Sequence, residues 1–134
     1  MENLKRWVLL RHNFYPGQPF PSHFDLLLED GLGCRTWRLD KIPVLDGPFI
    51  EVTPLPVHTL VWLGKRFGLV SGGRGWVRRV IAGLYRGSLP QIEAAPVLVE
   101  LQSADLVGTL EIQEKTCQLR SAGKSFHQND VNTP

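Results

Sequence analysis

Two side chains that bind metals and phosphates stand two residues apart in the run HFDLLLE, residues 23–29. The run is typical of a β-strand, in which successive side chains point to opposite faces. On that pattern His23 and Asp25 share one face, where an imidazole and a carboxylate can grip the same cation or the same phosphate. The plainer alternative is a half-buried strand with a histidine and an aspartate on its surface.

Two further histidines also lie at the end of a predicted strand or turn, where functional sites are commonly built. His12 closes the apolar run of residues 6–12, and His58 follows a proline-rich turn. The stretch between His12 and His23 contains three prolines and a glycine, so it is predicted to be a loop. If the two flanking strands pair antiparallel, that loop brings His12 back beside His23.

Positive charge is concentrated in one region, although the net charge is only +2. The basic strip consists of Lys65, Arg66, Arg74, Arg78 and Arg79. A local strip of this kind can hold phosphates even when the total charge is modest. Solvated strand edges, where lysine and arginine discourage aggregation, are the alternative.

The elements that must position these residues are short strands. The 134 residues include 13 glycines and 10 prolines, and helical periodicity is scarce. We therefore predict an all-β fold: a compact single-domain β-barrel of about seven to nine short strands, with at most one or two short helices. The barrel is predicted over residues 1–120, with a disordered C-terminal tail over 121–134.

Four details of this prediction concern individual segments. Residues 35–39 alternate as a strand, and the proline-rich segment 42–56 is expected to hold little regular structure beyond a short strand near 49–52. Residues 57–63 are expected to be extended. The glycine-rich segment 71–75 is predicted to be a hairpin turn rather than a Walker loop, because no GK[ST] follows.

The sequence also predicts where in the cell the protein is located. No apolar run approaches the length of about 20 residues that spans a bilayer, so no membrane partner is expected. The start of the chain has no signal-peptide pattern. Cys34 and Cys117 form neither a metal-type pair nor a disulfide framework, which favours a reduced, cytoplasmic protein.

In this order, the motifs resemble a known family. The matching stretches are an apolar strand ending in His12, the run HFDLLLE with the Asp30-Gly31 turn, Trp37 with Lys41 four residues on, His58 in the run HTLVW, the glycine-rich segment 71–85, and LVGTLEI at 106–112. They are similar to the 3′-phosphoesterase domain of bacterial and archaeal DNA ligase D, which also occurs as a free-standing protein. The resemblance covers about residues 6–120.

The resemblance implies a compact β-barrel with one bound Mn²⁺, held by His12, His23 and Asp25. This donor set also suits other divalent cations such as Zn²⁺ or Co²⁺. His58 would contact the substrate phosphate. The implied reaction removes 3′-phosphates and 3′-terminal ribonucleosides from DNA, on a primer-template or nicked duplex. A separately encoded ligase or polymerase is an implied partner in DNA repair.

The chain departs from the family where phosphate is bound. The family arginine two residues after the aspartate is Leu27 here, and a second family arginine has no counterpart in residues 49–52. Arg74, Arg78 and Lys41 are the candidate replacements; with His58, Arg74 and Lys41 are the predicted catalytic residues.

Two other classes of function fit the same residues. The first is a catalytically impaired relative that binds nucleic acid or a partner protein through the basic strip. The second is a non-haem iron oxygenase, in which His23, Asp25 and His58 form a two-histidine, one-carboxylate triad.

Overall fold

The computed structural model describes residues 3–92 and 95–121. Nine strands dominate this part of the chain: β1 Lys5–Asn13, β2 His23–Asp30, β3 Gly33–Leu39, β4 Ile50–Thr59, β5 Phe67–Leu69, β6 Trp76–Arg86, β7 Val97–Gln102, β8 Gly108–Ile112 and β9 Thr116–Arg120. Short 3₁₀ segments cover Leu60–Leu63 and Ser71–Gly73. The predicted all-β fold, the strand number and the scarcity of helix are confirmed.

The sheet closes into a ring because β1 has partners on both of its edges. It pairs antiparallel with β2 on one side and with β6 on the other, so the order β1-β2-β3-β4-β9-β8-β7-β6 returns to its start. β5 pairs with the first residues of β6 and β7 with the last, so β5 flanks the ring rather than belonging to it. The predicted barrel is therefore confirmed.

Both faces of the first strands are buried, against different partners. One face fills the barrel, where an inner core includes Trp7, Leu9, Leu26, Leu28, Ile81 and Tyr85. The other face carries an outer cluster of Val8, Leu10, Leu27, Cys34, Leu63 and Val77, which lies against the 3₁₀ segment Leu60–Leu63. Because side chains alternate along a strand, His12, His23 and Asp25 belong to the outer face.

Two expectations for the middle of the chain are wrong. Residues 60–63 form a 3₁₀ segment rather than extended chain. β4 runs through Pro54 and Pro56, which were expected to prevent regular structure. Proline removes a backbone donor, but beyond Val52 the only strand paired with β4 among the described residues is β3, and a strand with an open edge tolerates that loss.

Both cysteines are fully buried, and burial raises the pKa of the Cys34 thiol to about 11 and that of Cys117 to about 12. Of the predicted tail, only Ser121 lies within the described residues, where its backbone N–H and hydroxyl donate to the Asp46 carboxylate. Across 3–92 and 95–121, no helix has the length and apolar character needed to cross a membrane.

Candidate metal centre

Strand pairing assembles two histidines and an aspartate on the outer face. His12, near the end of β1, lies directly opposite His23, the first residue of β2, and Asp25 follows two residues later. The donor atoms of the three side chains all lie within 4.8 Å of one another. The antiparallel pairing inferred from the loop between the strands is therefore present, and it brings the three predicted ligands together.

The separations between donor atoms fit one shared cation. His23 Nε2 lies 3.3 Å from Asp25 Oδ1, and His12 Nδ1 lies 3.9 Å from Asp25 Oδ2. Two atoms that each bond one cation at about 2.1 Å lie about 3 Å apart at a right angle and about 4.2 Å apart when opposite. Both observed distances fall within or close to that interval.

Two atoms of the group are buried without a hydrogen-bond partner among the described residues. They are His23 Nε2 and Asp25 Oδ1, the pair that lies 3.3 Å apart. Buried polar atoms are nearly always paired, so an orphaned nitrogen and oxygen facing each other need an explanation. A cation between them would satisfy both, and the two-nitrogen, one-oxygen donor set suits Mn²⁺, Fe²⁺ or Zn²⁺.

The orientation of His12 favours metal binding. Its Nε2 lies 2.7 Å from the backbone oxygen of Arg74, and a carbonyl only accepts, so Nε2–H is the donor. The lone pair is then on Nδ1, the atom that faces Asp25. Burial lowers the pKa of the His12 imidazole, and the hydrogen bond to Arg74 offsets only part of this shift. Because the net shift is downward, the imidazole is mainly neutral at neutral pH, which is the form that binds a metal.

The turn that supplies the Arg74 carbonyl approaches β1 very closely, and glycine makes this possible. Gly75 has a φ of +85°, and a Cβ built on it would clash with the backbone oxygen of Asn13. Gly73 also has a positive φ, of +68°, but has open space around its Cα. Gly75 is therefore required by both conformation and contact, and Gly73 by conformation alone.

Replacing Gly75 with alanine is expected to lower the free energy of unfolding by about 3 kcal/mol, because left-handed strain and a backbone clash add together. The matched variant Gly73→Ala carries only the strain and should lose about 1 kcal/mol. Urea denaturation followed by circular dichroism measures both. Equal losses in the two variants would show that the contact with Asn13 does not constrain the turn.

Two cavities adjoin the group formed by His12, His23 and Asp25. The first, of about 470 Å³, is lined by His12, Asp25, Arg38, His58 and Arg74 together with apolar residues such as Trp62 and Val77. The second, of about 540 Å³, is lined by His12, Phe14, Phe20, Pro21, Ser22, His23, Arg38, Asp40 and Arg74. The cluster is thus accessible from two sides, and both sides carry positive charge.

Two of the predicted catalytic residues, His58 and Arg74, lie at this site. His58 faces the first cavity but does not belong to the group of three close donors found among the described residues. Its Nδ1–H donates to the Pro56 carbonyl at 2.9 Å, which leaves Nε2 for a ligand. Arg74 lines both cavities, and its guanidinium also donates to the backbone oxygen and hydroxyl of Ser71.

Lys41 and most of the basic strip lie elsewhere. Lys41 lines a separate cavity of about 280 Å³, with Pro48 and Phe49. Arg78 lies opposite Arg11, on the strand face that does not carry His12. None of the strip residues Lys65, Arg66, Arg78 and Arg79 lines either of the two cavities beside the cluster. Arg74 is therefore the one member of the strip that reaches the cluster.

Sequence reasoning missed Arg38. This residue of β3 lies directly opposite Asp25 and lines both cavities. It has no hydrogen-bond or ion-pair partner within the described part of the chain, so its guanidinium is available to a ligand. Alternation along residues 35–39 places Arg38 on one face with Thr36, but only the register with β2 identifies that face as the one carrying Asp25.

Leu27, at the position of the family arginine, lies in the outer cluster and lines neither of the two cavities. Its side chain is fully buried, with an exposure of 0%, in the outer cluster beside Leu10 and Leu63. A guanidinium there would be removed from water without a partner, which is costly. The positive charge on this face comes instead from the neighbouring strand, through Arg38.

Comparison of the chain with protein-family models and with curated proteins found no match. The site combines a donor set suited to a divalent cation, two arginines and a histidine around a cavity, an arrangement able to bind and polarise a phosphate ester.

Proposed function

We propose that this protein is a metal-dependent phosphoesterase, of the kind typified by the DNA ligase D 3′-phosphoesterase domain, that processes 3′-phosphate or 3′-ribonucleotide ends of DNA. One observation carries the proposal: His12 and Asp25, which group with His23, line a cavity that Arg38, His58 and Arg74 also line. A phosphoesterase needs both parts, a cation for the phosphoryl group and further positive groups for its charge.

Each group of side chains at the site has its own proposed role in the reaction. His12, His23 and Asp25 hold the cation, Mn²⁺ being the proposed one, with Zn²⁺ or Co²⁺ as possible replacements. When bound, the metal supplies a Lewis acid that polarises a phosphoryl oxygen or activates a water molecule. Arg38 and Arg74 orient the phosphate, since a guanidinium donates two parallel hydrogen bonds to its oxygens.

His58 is proposed to act on the leaving group. In hydrolysis of a 3′-phosphate, a water oxygen forms a bond to phosphorus and the bond between phosphorus and the 3′-oxygen breaks. The 3′-oxygen then takes up a proton, which His58 Nε2 is proposed to deliver, and the water loses one to solvent or a base. The products are a 3′-hydroxyl end and inorganic phosphate.

The oxygenase alternative has less support than the phosphoesterase. In that alternative His58 is a ligand, whereas the close group within the described residues contains His12 in its place and is itself made of two histidines and one carboxylate. Two arginines beside the ligands favour a phosphate over a neutral substrate. A non-catalytic role of the basic strip in binding nucleic acid stays open as the second candidate, because Lys65, Arg66 and Arg78 are exposed.

The test uses a primer-template whose primer ends in a 3′-phosphate, and a second whose primer ends in one ribonucleotide. With Mn²⁺, we expect the wild-type protein to shorten or dephosphorylate the primer, and excess EDTA to abolish this. A duplex with a 3′-hydroxyl and a 5′-phosphate is the matched control and should remain unchanged. No metal-dependent product from either substrate would refute the proposed activity, and salt-sensitive binding without turnover would favour the non-catalytic candidate.

A further inference from the structure

An aromatic pair borders the candidate metal centre on the side of the second cavity. Phe14 stacks on His12, with ring centroids 4.3 Å apart and planes inclined by 23°. Phe20 lies 5.3 Å from Phe14, and 59% of its surface is exposed. Both phenylalanines line the 540 Å³ cavity together with His23 and Arg38. An exposed aromatic ring therefore faces a cavity that already contains metal ligands and an arginine.

The loop that carries the pair is anchored to the neighbouring turn. Gln18 accepts a hydrogen bond from the Tyr15 backbone N–H at 2.7 Å, and its own amide donates to the Gly73 carbonyl at 3.0 Å. The Tyr15 ring also contacts Trp76, with centroids 5.4 Å apart. These contacts hold the middle of the loop against the turn that supplies the Arg74 carbonyl, and the stacking on His12 places Phe14 beside the cluster.

We propose that Phe14 and Phe20 form a stacking site for the terminal base of the nucleic-acid end, which must be unpaired to reach it. This inference rests on the proposed function and specifies its substrate. The observations call for a ligand with a flat apolar ring and an attached anion: the aromatic pair offers a stacking surface, and Arg38 lines the same cavity. A nucleotide has both parts, and every base has a face that stacks on an aromatic ring.

An unpaired end has a further consequence for substrate choice. A base stacked on Phe20 has left the duplex, so a frayed, mismatched or single-stranded end saves the cost of unpairing it. A volume of about 540 Å³ is within the range of small-ligand sites, about 300 to 1,000 Å³. We expect the protein to prefer 3′ overhangs to fully paired blunt ends.

The test compares single-stranded DNA ending in a 3′-phosphorylated nucleotide with the same strand ending in a 3′-phosphorylated abasic residue. Binding is measured by fluorescence anisotropy in EDTA, so that turnover cannot consume the ends. The wild type should bind the base-bearing end about tenfold more tightly. Phe20→Ala should remove this difference, and Phe20→Tyr should preserve it. Phe49→Ala is the matched control, since Phe49 is similarly exposed, at 53%, and lines the separate cavity with Lys41.

The outcomes separate this inference from the proposed function. Equal binding of the two ends by the wild type, or a difference that survives in Phe20→Ala, would overturn the stacking site even if the enzyme proves active. A difference that requires Phe20, combined with no metal-dependent turnover, would keep the stacking site and refute the activity. A loss of the difference in Phe49→Ala as well would also overturn it, because the effect would not be specific to the loop.

Discussion

Replacing His23 with alanine is expected to weaken Mn²⁺ binding by at least about 100-fold. Loss of a residue that only orients a metal ligand typically costs 10- to 100-fold in affinity, and here one of three donors is removed. His23 is nearly buried, at 7% exposure, and its Nε2 faces Asp25 Oδ1 at 3.3 Å. Titration with detection of free Mn²⁺ by electron paramagnetic resonance measures the affinity directly. Asp25→Asn, which keeps the size of the side chain and removes its charge, should show a similar loss.

His58→Ala is the control for this experiment. His58 lines the first cavity but is not one of the three close donors, so its loss should leave Mn²⁺ affinity unchanged. Thermal unfolding gives an independent readout, because a ligand at 100 times its Kd stabilises the folded state by about 2.7 kcal/mol. Mn²⁺ should therefore raise the Tm of the wild type and of His58→Ala, but not that of His23→Ala. Equal Mn²⁺ affinity in the wild type and His23→Ala would mean that Mn²⁺ binds at another site or does not bind to this protein.

The grouping of His12, His23 and Asp25 was predictable because it depends on local features of the sequence. Alternation along residues 23–29 placed His23 and Asp25 on one face, and a single loop connects that strand to the strand ending in His12. Consecutive strands joined by one loop commonly pair antiparallel, so adjacency in the chain became adjacency in space. The barrel was predictable for a similar reason, since frequent turns between short strands favour closure.

Only part of the positive charge around the cluster was predictable: Arg74 was among the predicted catalytic residues, but Arg38 was missed, because its position depends on strand register and on which face of the strand it occupies. Arg38 reaches the site only because β3 pairs with β2 so that Arg38 lies opposite Asp25. Arg74 lies in the turn before β6, whereas Arg78 lies within β6 opposite Arg11, on the face that does not carry His12. Proximity in sequence therefore grouped Arg74 with Arg78, although only Arg74 lines the cavities.

Arg38→Ala is expected to lower kcat on 3′-phosphate ends by about 100-fold or more while leaving Mn²⁺ affinity unchanged. Removing one donor that stabilises charge in a transition state typically costs 10²- to 10³-fold. Arg38 has the least constrained guanidinium at the site, since Arg74 already donates twice to Ser71. Single-turnover kinetics of phosphate release measure the effect. Arg38→Lys should recover part of the rate, because an ammonium keeps the charge but loses the paired hydrogen bonds.

The charge-matched control is Lys115→Ala, which removes one positive charge from an exposed residue that lines neither cavity beside the cluster. Its rate should equal that of the wild type, which separates a specific contact from a change in overall charge. Inhibition by inorganic phosphate gives a second readout, and its inhibition constant should rise in Arg38→Ala but not in Lys115→Ala. An unchanged rate in Arg38→Ala would mean that Arg74 alone binds the phosphate. Leu27 would then stand at the position of the family arginine without Arg38 of β3 replacing that arginine as a second phosphate-binding group.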